Sequence, residues 1–266
     1  MLPTDIASYP HGNSGNSLKN LLTIITVTKD DLDGIISTVQ STRQLRLDNN
    51  IRQIIVDSSN EETREKIREV LGREKNIDYI WQKPSGIAAA FNAGLQRSNA
   101  DWVWFLNSRD EVHSSVEPEK LFYLLAESRA DAIIFEIELI QSQKRYSHPP
   151  LWNLWPPINS WIPHPATLLR QRLFDQFGLF DETFRISMDF ELWFRFFSKN
   201  IVVDMISMPL TLYDEAGLSS MSMEIVGRES MAVVKRNLWL MIKKWIGTGV
   251  VVYRAVRYYY GLGRSR

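Results

Sequence analysis

The chain has 266 residues, 44% hydrophobic and 23% charged, enough for one large domain, or one domain with an appendage, whose core needs no covalent staple. It has no cysteine, which excludes disulfides, thiol catalysis, iron–sulfur clusters and Cys-ligated zinc. Its 31 Lys and Arg balance 31 Asp and Glu, so overall charge gives no reason to expect nucleic acid as a partner.

Residues 1–19 are polar (Pro3, Asp5, His11, Asn13) and read as a flexible N-terminal segment, not a signal peptide. From residue 21 two periods alternate. Leu21–Thr28 is a β-branched run, and Asp31–Leu45 then spaces Leu32, Ile35, Ile36 and Val39 at helical intervals. Ile51–Asp57 is a second run. Ser59 and Glu62 after it form a capping-box pattern opening a helix with Ile67, Val70 and Leu71 on one face. Glu62–Lys66 and Glu69–Arg73 are expected as exposed pairs on that helix. Ile77–Gln82 is a third run, Gly86–Ser98 a helix, and Asp101–Asn107 a fourth run. Such alternation predicts βαβ units and a parallel sheet. Further on, Ala132–Ile140 and Ile201–Ser207 read as strands and Asp189–Lys199 as a helix. Residues 146–166 form a loop carrying Trp152, Trp155 and Trp161.

Open parallel sheets bind ligands beyond the carboxyl ends of their strands. Those ends carry Thr26 and Thr28; Asp57, Ser58 and Ser59; and Asn107, Ser108, Arg109 and Asp110. The third run leads through Pro84, Ser85 and Gly86 into the helix bearing Asn92. Such an edge suits a nucleotide with a charged diphosphate, although the same residues also serve as ordinary caps and turns. Neither a dinucleotide-binding Gly-x-Gly-x-x-Gly nor a P-loop follows any of these strands. The four histidines have no spacing of a helical metal site.

These segments together resemble a family 2 glycosyltransferase of the GT-A fold, of the type acting on bacterial surface polysaccharides. The resemblance covers about residues 21–220. Thr23–Asp30 is similar to the family's first strand and turn. Ile54–Ser59 resembles its second strand, whose carboxylate contacts the nucleotide base. Pro84–Gly94 is similar to its Gly-Ile…Ala-x-Asn-x-Gly helix, and Trp104–Asp110 falls where it has an Asp-x-Asp metal segment. His164–Thr167, Gly178–Glu182, Ser187–Trp193 and Gly217–Ser220 resemble later blocks.

The resemblance implies an α/β fold with a Rossmann-like, mainly parallel sheet flanked by helices. It also implies transfer of a sugar from a nucleotide-sugar donor, a UDP-sugar in the favoured reading, to a saccharide or polyprenyl-linked saccharide, with inversion. Asp189 is then the base, its rival role being a helix N-cap. Thr26, Thr28, Asp57, Ser85, Gly86, Asn92, Asn107 and Arg109 face the donor, and His164 and Trp161 the diphosphate or acceptor. Trp152, Trp155 and Trp161 equally fit a buried cluster under the loop. A divalent cation, Mn²⁺ or Mg²⁺, is expected at Asp110, the only acid of Asn107-Ser108-Arg109-Asp110. Three readings of that departure stand: weak metal binding by one amide and one carboxylate, Arg109 holding the diphosphate itself, or lost activity. The last would make the chain a catalytically silent binder of nucleotide or glycan.

A domain of residues 20–220 is expected, followed by a basic, aromatic, helical extension, 221–266. From Arg228 onward nine Lys and Arg face one acid, Glu229, among Trp239, Trp245, Tyr253 and Tyr258–Tyr260. That composition suits a membrane surface, or a helical hairpin packed on the catalytic domain. The expected location is cytoplasmic or peripheral on the inner face of the plasma membrane.

Overall fold

A computed structural model of the chain describes residues 19–146, 162–199, 201–215 and 223–248. The N-terminal segment, the loop with Trp152, Trp155 and Trp161, the Gly217–Ser220 block and the sequence past 248 lie outside the described residues.

The chain begins with a run of βαβ units. β1 (Asn20–Thr28), α1 (Leu32–Ser41), a 3₁₀ turn (Leu45–Leu47), β2 (Ile51–Asp57), α2 (Glu61–Leu71), β3 (Ile77–Trp81), α3 (Ile87–Arg97) and β4 (Ala100–Phe105) follow in order. Then come β5 (Glu111–Val112), α4 (Pro118–Glu127), β6 (Ala132–Leu139) and β7 (Arg145–Tyr146). A 3₁₀ turn (His164–Ala166) leads into β8 (Thr167–Arg170), α5 (Arg172–Phe177), α6 (Met188–Phe197), β9 (Val203–Tyr213) and α7 (Met223–Thr248). The strands form one sheet in the order β3-β2-β1-β4-β8-β6-β9-β5, with β7 on β6. β1 to β4 are mutually parallel, and β8 runs antiparallel between β4 and β6. β6 thereby regains the direction of β4, and β9 pairs parallel to it. The sheet is thus mainly parallel, flanked by helices, as expected.

The continuous apolar runs of β1 and β4 reflect burial on both faces. Leu22, Ile24, Trp102 and Trp104 pack on one side with α4. Ile25, Val103 and Phe105 pack on the other with α3, α5 and α6. Two buried indoles are satisfied across layers: Trp102 Nε1 donates to Leu125 O at 2.9 Å and Trp104 Nε1 to Pro165 O at 2.6 Å. α3 lies so close on β1 that a Cβ at Gly94 would stand 2.4 Å from Ile25 Cγ2.

Three local expectations need correction. α2 is capped one residue later than its capping-box pattern suggests. Asn60, not Ser59, accepts the Thr63 N–H (3.1 Å), because the Ser59 hydroxyl is taken by the Asp30 N–H at 2.7 Å. Glu62 pairs with Lys66 at 2.6 Å instead of reaching back; Glu69 and Arg73 approach to 3.7 Å. The strand expected over Ile201–Ser207 extends to Tyr213, passing Pro209 by register shifts against β6.

α7 packs on α6, with Val233 fully buried in the same core cluster as Trp193 and Phe194. Among the described residues no helix is long and apolar enough to cross a membrane.

Candidate active site

The carboxyl ends of β1 and β4, the amino ends of α3 and α6 and the exit of β9 wall one cleft of about 780 Å³. On the α3 side, Ser85 and Gly86 line it. Gly86 sits at φ +101°, a conformation strained for any L side chain, and among the described residues no side chain caps α3. Its first backbone N–H groups therefore open on the cleft with the positive end of the helix dipole behind them.

The segment after β4 continues along β1, with Leu106 N–H on Ile25 O (3.0 Å) and Ser108 N–H on Val27 O (3.1 Å). Arg109 then turns back at φ +77°, and its N–H donates to Gly34 O at 3.2 Å. That turn aims the guanidinium at Asp31, the N-cap of α1. Nε donates to Oδ2 at 2.9 Å and an Nη to Oδ1 at 2.7 Å, a two-pronged fork. Gly34 permits it: a Cβ there would lie 2.1 Å from Asp31 Oδ2 and 2.5 Å from Arg109 Cγ. Burial pushes the Asp31 carboxyl up, but the Arg109 and Ser108 donors outweigh it and hold the group below its ordinary range.

Asp110, next in the turn, is buried. Its Oδ1 accepts the Asp214 N–H at 3.0 Å. Among the described residues, neither Asp110 Oδ2 nor Asn107 Oδ1 has a hydrogen-bond partner, though both are buried. Burial pushes the Asp110 carboxyl up to about 7, against the pull of the Asp214 and Asn107 N–H groups. Two unpartnered hard oxygens three residues apart in one turn are donors that a divalent cation accepts. Among the described residues no cluster of three or more His, Asp or Glu side chains forms a metal cage.

Across the cleft, α6 presents Asp189 from its first turn. The N-cap position is Ser187, so Asp189 is not the cap residue. Its Oδ1 accepts the Phe190 N–H at 2.7 Å, and burial raises its pKa to about 6. The helix is anchored behind it. Phe190, Trp193 and Phe194 enter the core, and buried Glu191 holds Arg195 at 2.8 Å. Arg195 in turn donates to the carbonyls of Phe177, Gly178 and Leu179.

Of the residues expected at the site, Thr28, Ser85, Gly86, Asn107, Arg109, Asp110, His164 and Asp189 line this cleft. Thr26, Asp57 and Asn92 do not. Thr26 is fully buried, its hydroxyl accepting from Gln53 Nε2 at 2.9 Å. Asp57 is fully buried beneath Ser58, its carboxylate bound by the Ser59 N–H and the Tyr79 hydroxyl, both at 2.7 Å. Asn92 is a strut: its amide pins both backbone groups of Phe180 and reaches Glu182 Oε1 at 2.8 Å. His164 lines the cleft from within the aromatic core, and among the described residues neither ring nitrogen has a hydrogen-bond partner. Its ring stacks on Phe105 at 5.3 Å, among Phe91, Phe180 and Trp193, and burial lowers its pKa to about 3. It is therefore a neutral imidazole at the cleft floor. Trp161 lies outside the described residues. Lys29, Asp31, Arg185 and Asp214 line the cleft without having been singled out from sequence. Asp31 and Arg185 stand beside recognised segments, and only the folded turn shows that they face the ligand space.

Solved structures share this architecture. Residues 1–349 of S. aureus TarS in complex with UDP superpose with a TM-score of 0.62 at 16% identity, covering 80% of this chain and 64% of that one. The corresponding complex with UDP-GlcNAc gives 0.59 at 15% identity, covering 76% and 60%. The fold is that of the GT-A glycosyltransferases. In sequence, an uncharacterized glycosyltransferase of Rickettsia prowazekii is 25% identical over 160 residues, 56% of this chain and 50% of its own length. An uncharacterized glycosyltransferase of Mycobacterium tuberculosis is 31% identical over 90 residues, 34% of each chain. The chain thus spans half or less of the length of these relatives. The profile of glycosyl transferase family 2 matches residues 23–193, well over half of the chain. The protein belongs to glycosyltransferase family 2.

Proposed function

We propose that the chain transfers a hexose-type sugar from a UDP-sugar to a hydroxyl of a saccharide or polyprenyl-linked saccharide, with inversion, in surface-polysaccharide or O-antigen-type assembly. The observation that carries this reading is one cleft with Asp189 on one wall and Asn107, Arg109 and Asp110 on the other. The TarS complexes with UDP and UDP-GlcNAc support the choice of donor.

In this reading Asp189 takes the proton of the acceptor hydroxyl as its oxygen bonds to the anomeric carbon. The bond to the diphosphate breaks on the opposite face of the sugar, and the nucleoside diphosphate leaves with the electron pair. Attack opposite the leaving group inverts the centre. A carboxylate with a pKa near 6 is a stronger base than an ordinary aspartate yet is ionised at neutral pH. The uncapped N-terminus of α3 and the Lys29 and Arg185 side chains supply positive potential for the diphosphate. Asp110 and Asn107 would hold Mn²⁺ or Mg²⁺ through their free oxygens, and a cation there neutralises charge on the leaving group. Calorimetry with UDP-, GDP- and dTDP-sugars, each with Mn²⁺ and again with EDTA, tests the reading. UDP-sugar binding that weakens in EDTA is expected. Binding of no nucleotide sugar under either condition would overturn it.

The division into a catalytic domain, 20–220, and a basic extension, 221–266, belongs to the same proposal, with the extension meeting an anionic membrane surface from the cytoplasmic side. On α7 the exposed residues Arg228, Met231, Lys235 and Leu238 mix cations with apolar groups, which supports it. Flotation with anionic liposomes is expected for the intact protein and weakened in a chain ending at Leu238, which loses six of the nine Lys and Arg with Trp239, Trp245, Tyr253 and Tyr258–Tyr260 but keeps Val233 and the α6 contact. Equal flotation of the two would sink the membrane assignment.

A further inference from the structure

The helix that carries Asp189 has no cap of its own. Ser187 occupies the N-cap position, but its side chain accepts none of the first N–H groups of α6; its hydroxyl lies 3.4 Å from Ser230 Oγ and 3.5 Å from Val226 O. Uncapped N–H groups at a helix start need another acceptor. Within α6 the Phe190 N–H finds the Asp189 carboxylate; the three N–H groups just ahead of the helix are gathered from far along the chain. Glu229, on α7, accepts the N–H of Arg185 on Oε1 and those of Ile186 and Ser187 on Oε2, all at 2.9 Å. Burial pushes this carboxyl up, but the three N–H donors outweigh it and hold the group below its ordinary range.

α7 is itself fixed against the same stretch of chain. One turn on, Val233 is fully buried. Arg236 then pairs with Asp181 and sits 5.2 Å over the Phe184 ring. Residues 181–187, the whole approach to the base, are therefore strung along one face of α7.

We infer that Glu229 is a positioning residue: its carboxylate gathers three consecutive backbone N–H groups just ahead of Asp189 and sets where the base stands relative to the acceptor. This rests on the role given to Asp189 under the proposed function. A negative group at this end also suits the positive pole of α6. Glu229 touches neither donor nor acceptor in this account. Its effect falls on the geometry of the proton transfer, where displacement of the base by about 1 Å costs on the order of 100-fold in rate.

The test compares Glu229→Ala and Glu229→Gln with Val233→Ala, which loosens the same α6–α7 contact without touching the clamp. UDP-GlcNAc is the donor probe, and amide hydrogen exchange is followed over residues 183–192. Glu229→Ala should lower kcat by about 10- to 100-fold with donor KM within about twofold. It should also speed exchange at residues 185–187. Glu229→Gln should fall between it and the wild type, because one oxygen remains while its amide nitrogen confronts an N–H donor. Val233→Ala should lose melting temperature but little kcat. The inference is overturned if Glu229→Ala costs no more kcat than Val233→Ala, or if protection at 185–187 is unchanged. Should the wild type turn over no nucleotide sugar, the functional reading fails, and the exchange data alone still decide whether Glu229 clamps the segment.

Discussion

Asp189→Asn should slow sugar transfer by about 10²- to 10⁴-fold while leaving donor affinity within about twofold. The substitution is nearly isosteric, and the remaining side-chain oxygen still accepts the Phe190 N–H, so α6 keeps its first turn. Only the proton acceptor is lost. In the wild type the same group sets the pH dependence. Burial raises its pKa to about 6, so kcat should rise with pH through an acid limb centred near 6 and then level off. The stability consequence has the opposite sense. A carboxyl whose folded pKa exceeds its unfolded value binds its proton more tightly in the native state, so stability falls as pH climbs from about 4 toward 6. The Asn variant, which never ionises, escapes this cost and should melt higher than the wild type at pH 7.5. Turnover unchanged in Asp189→Asn would remove it from the role of base; a lower melting temperature at pH 7.5 would show that its charge is compensated in the fold.

The site was legible where chemistry follows from local position. Thr28, Gly86, Asn107, Asp110 and Asp189 stand at strand or helix ends, and in a parallel sheet those ends converge on one edge. The first four strands and three helices were legible for the same kind of reason: apolar runs buried on both faces alternate with amphipathic helices. α4, β8 and α5 were not picked out as elements. β8 has four residues and α5 six, too few for a period to emerge. Thr26 and Asn92 carry the side chains of a ligand site, and a strand end or a motif does not say which face a side chain takes. Gln53 and Phe180, distant in sequence, settle that. The Asp31–Arg109 fork depends on a positive φ at Arg109 and on the absence of a Cβ at Gly34, 75 residues earlier. The Glu229 clamp spans 42 residues at its nearest bond. Contacts of that range leave no periodic trace.

The fork also decides how the departure at Asn107-Ser108-Arg109-Asp110 should be tested, because Arg109 already gives Nε and one Nη to Asp31 and has only its remaining N–H donors for a diphosphate. Among the described residues Asp110 has no such competitor on Oδ2. Asp110→Asn should therefore reduce donor affinity in Mn²⁺ by about 10- to 100-fold, the range of one lost charge-assisted interaction. Its remaining affinity should match that of the wild type in EDTA, with no further loss when EDTA is added. Binding of Mn²⁺ alone, followed by calorimetry, should weaken in parallel, which separates loss of the cation from loss of activity. The fold should tolerate the change, since the Asn oxygen can still accept the Asp214 N–H that Oδ1 accepts now. Arg109→Ala is the counterpart. It frees Asp31 and removes a cation from the cleft wall, and if Asp110 is the metal's anchor it should lower affinity less than Asp110→Asn in Mn²⁺. Wild-type binding that survives EDTA but collapses in Arg109→Ala would reverse the assignment. The guanidinium would then hold the diphosphate, and the buried Asp110 carboxyl would serve to fix the start of the turn through Asp214.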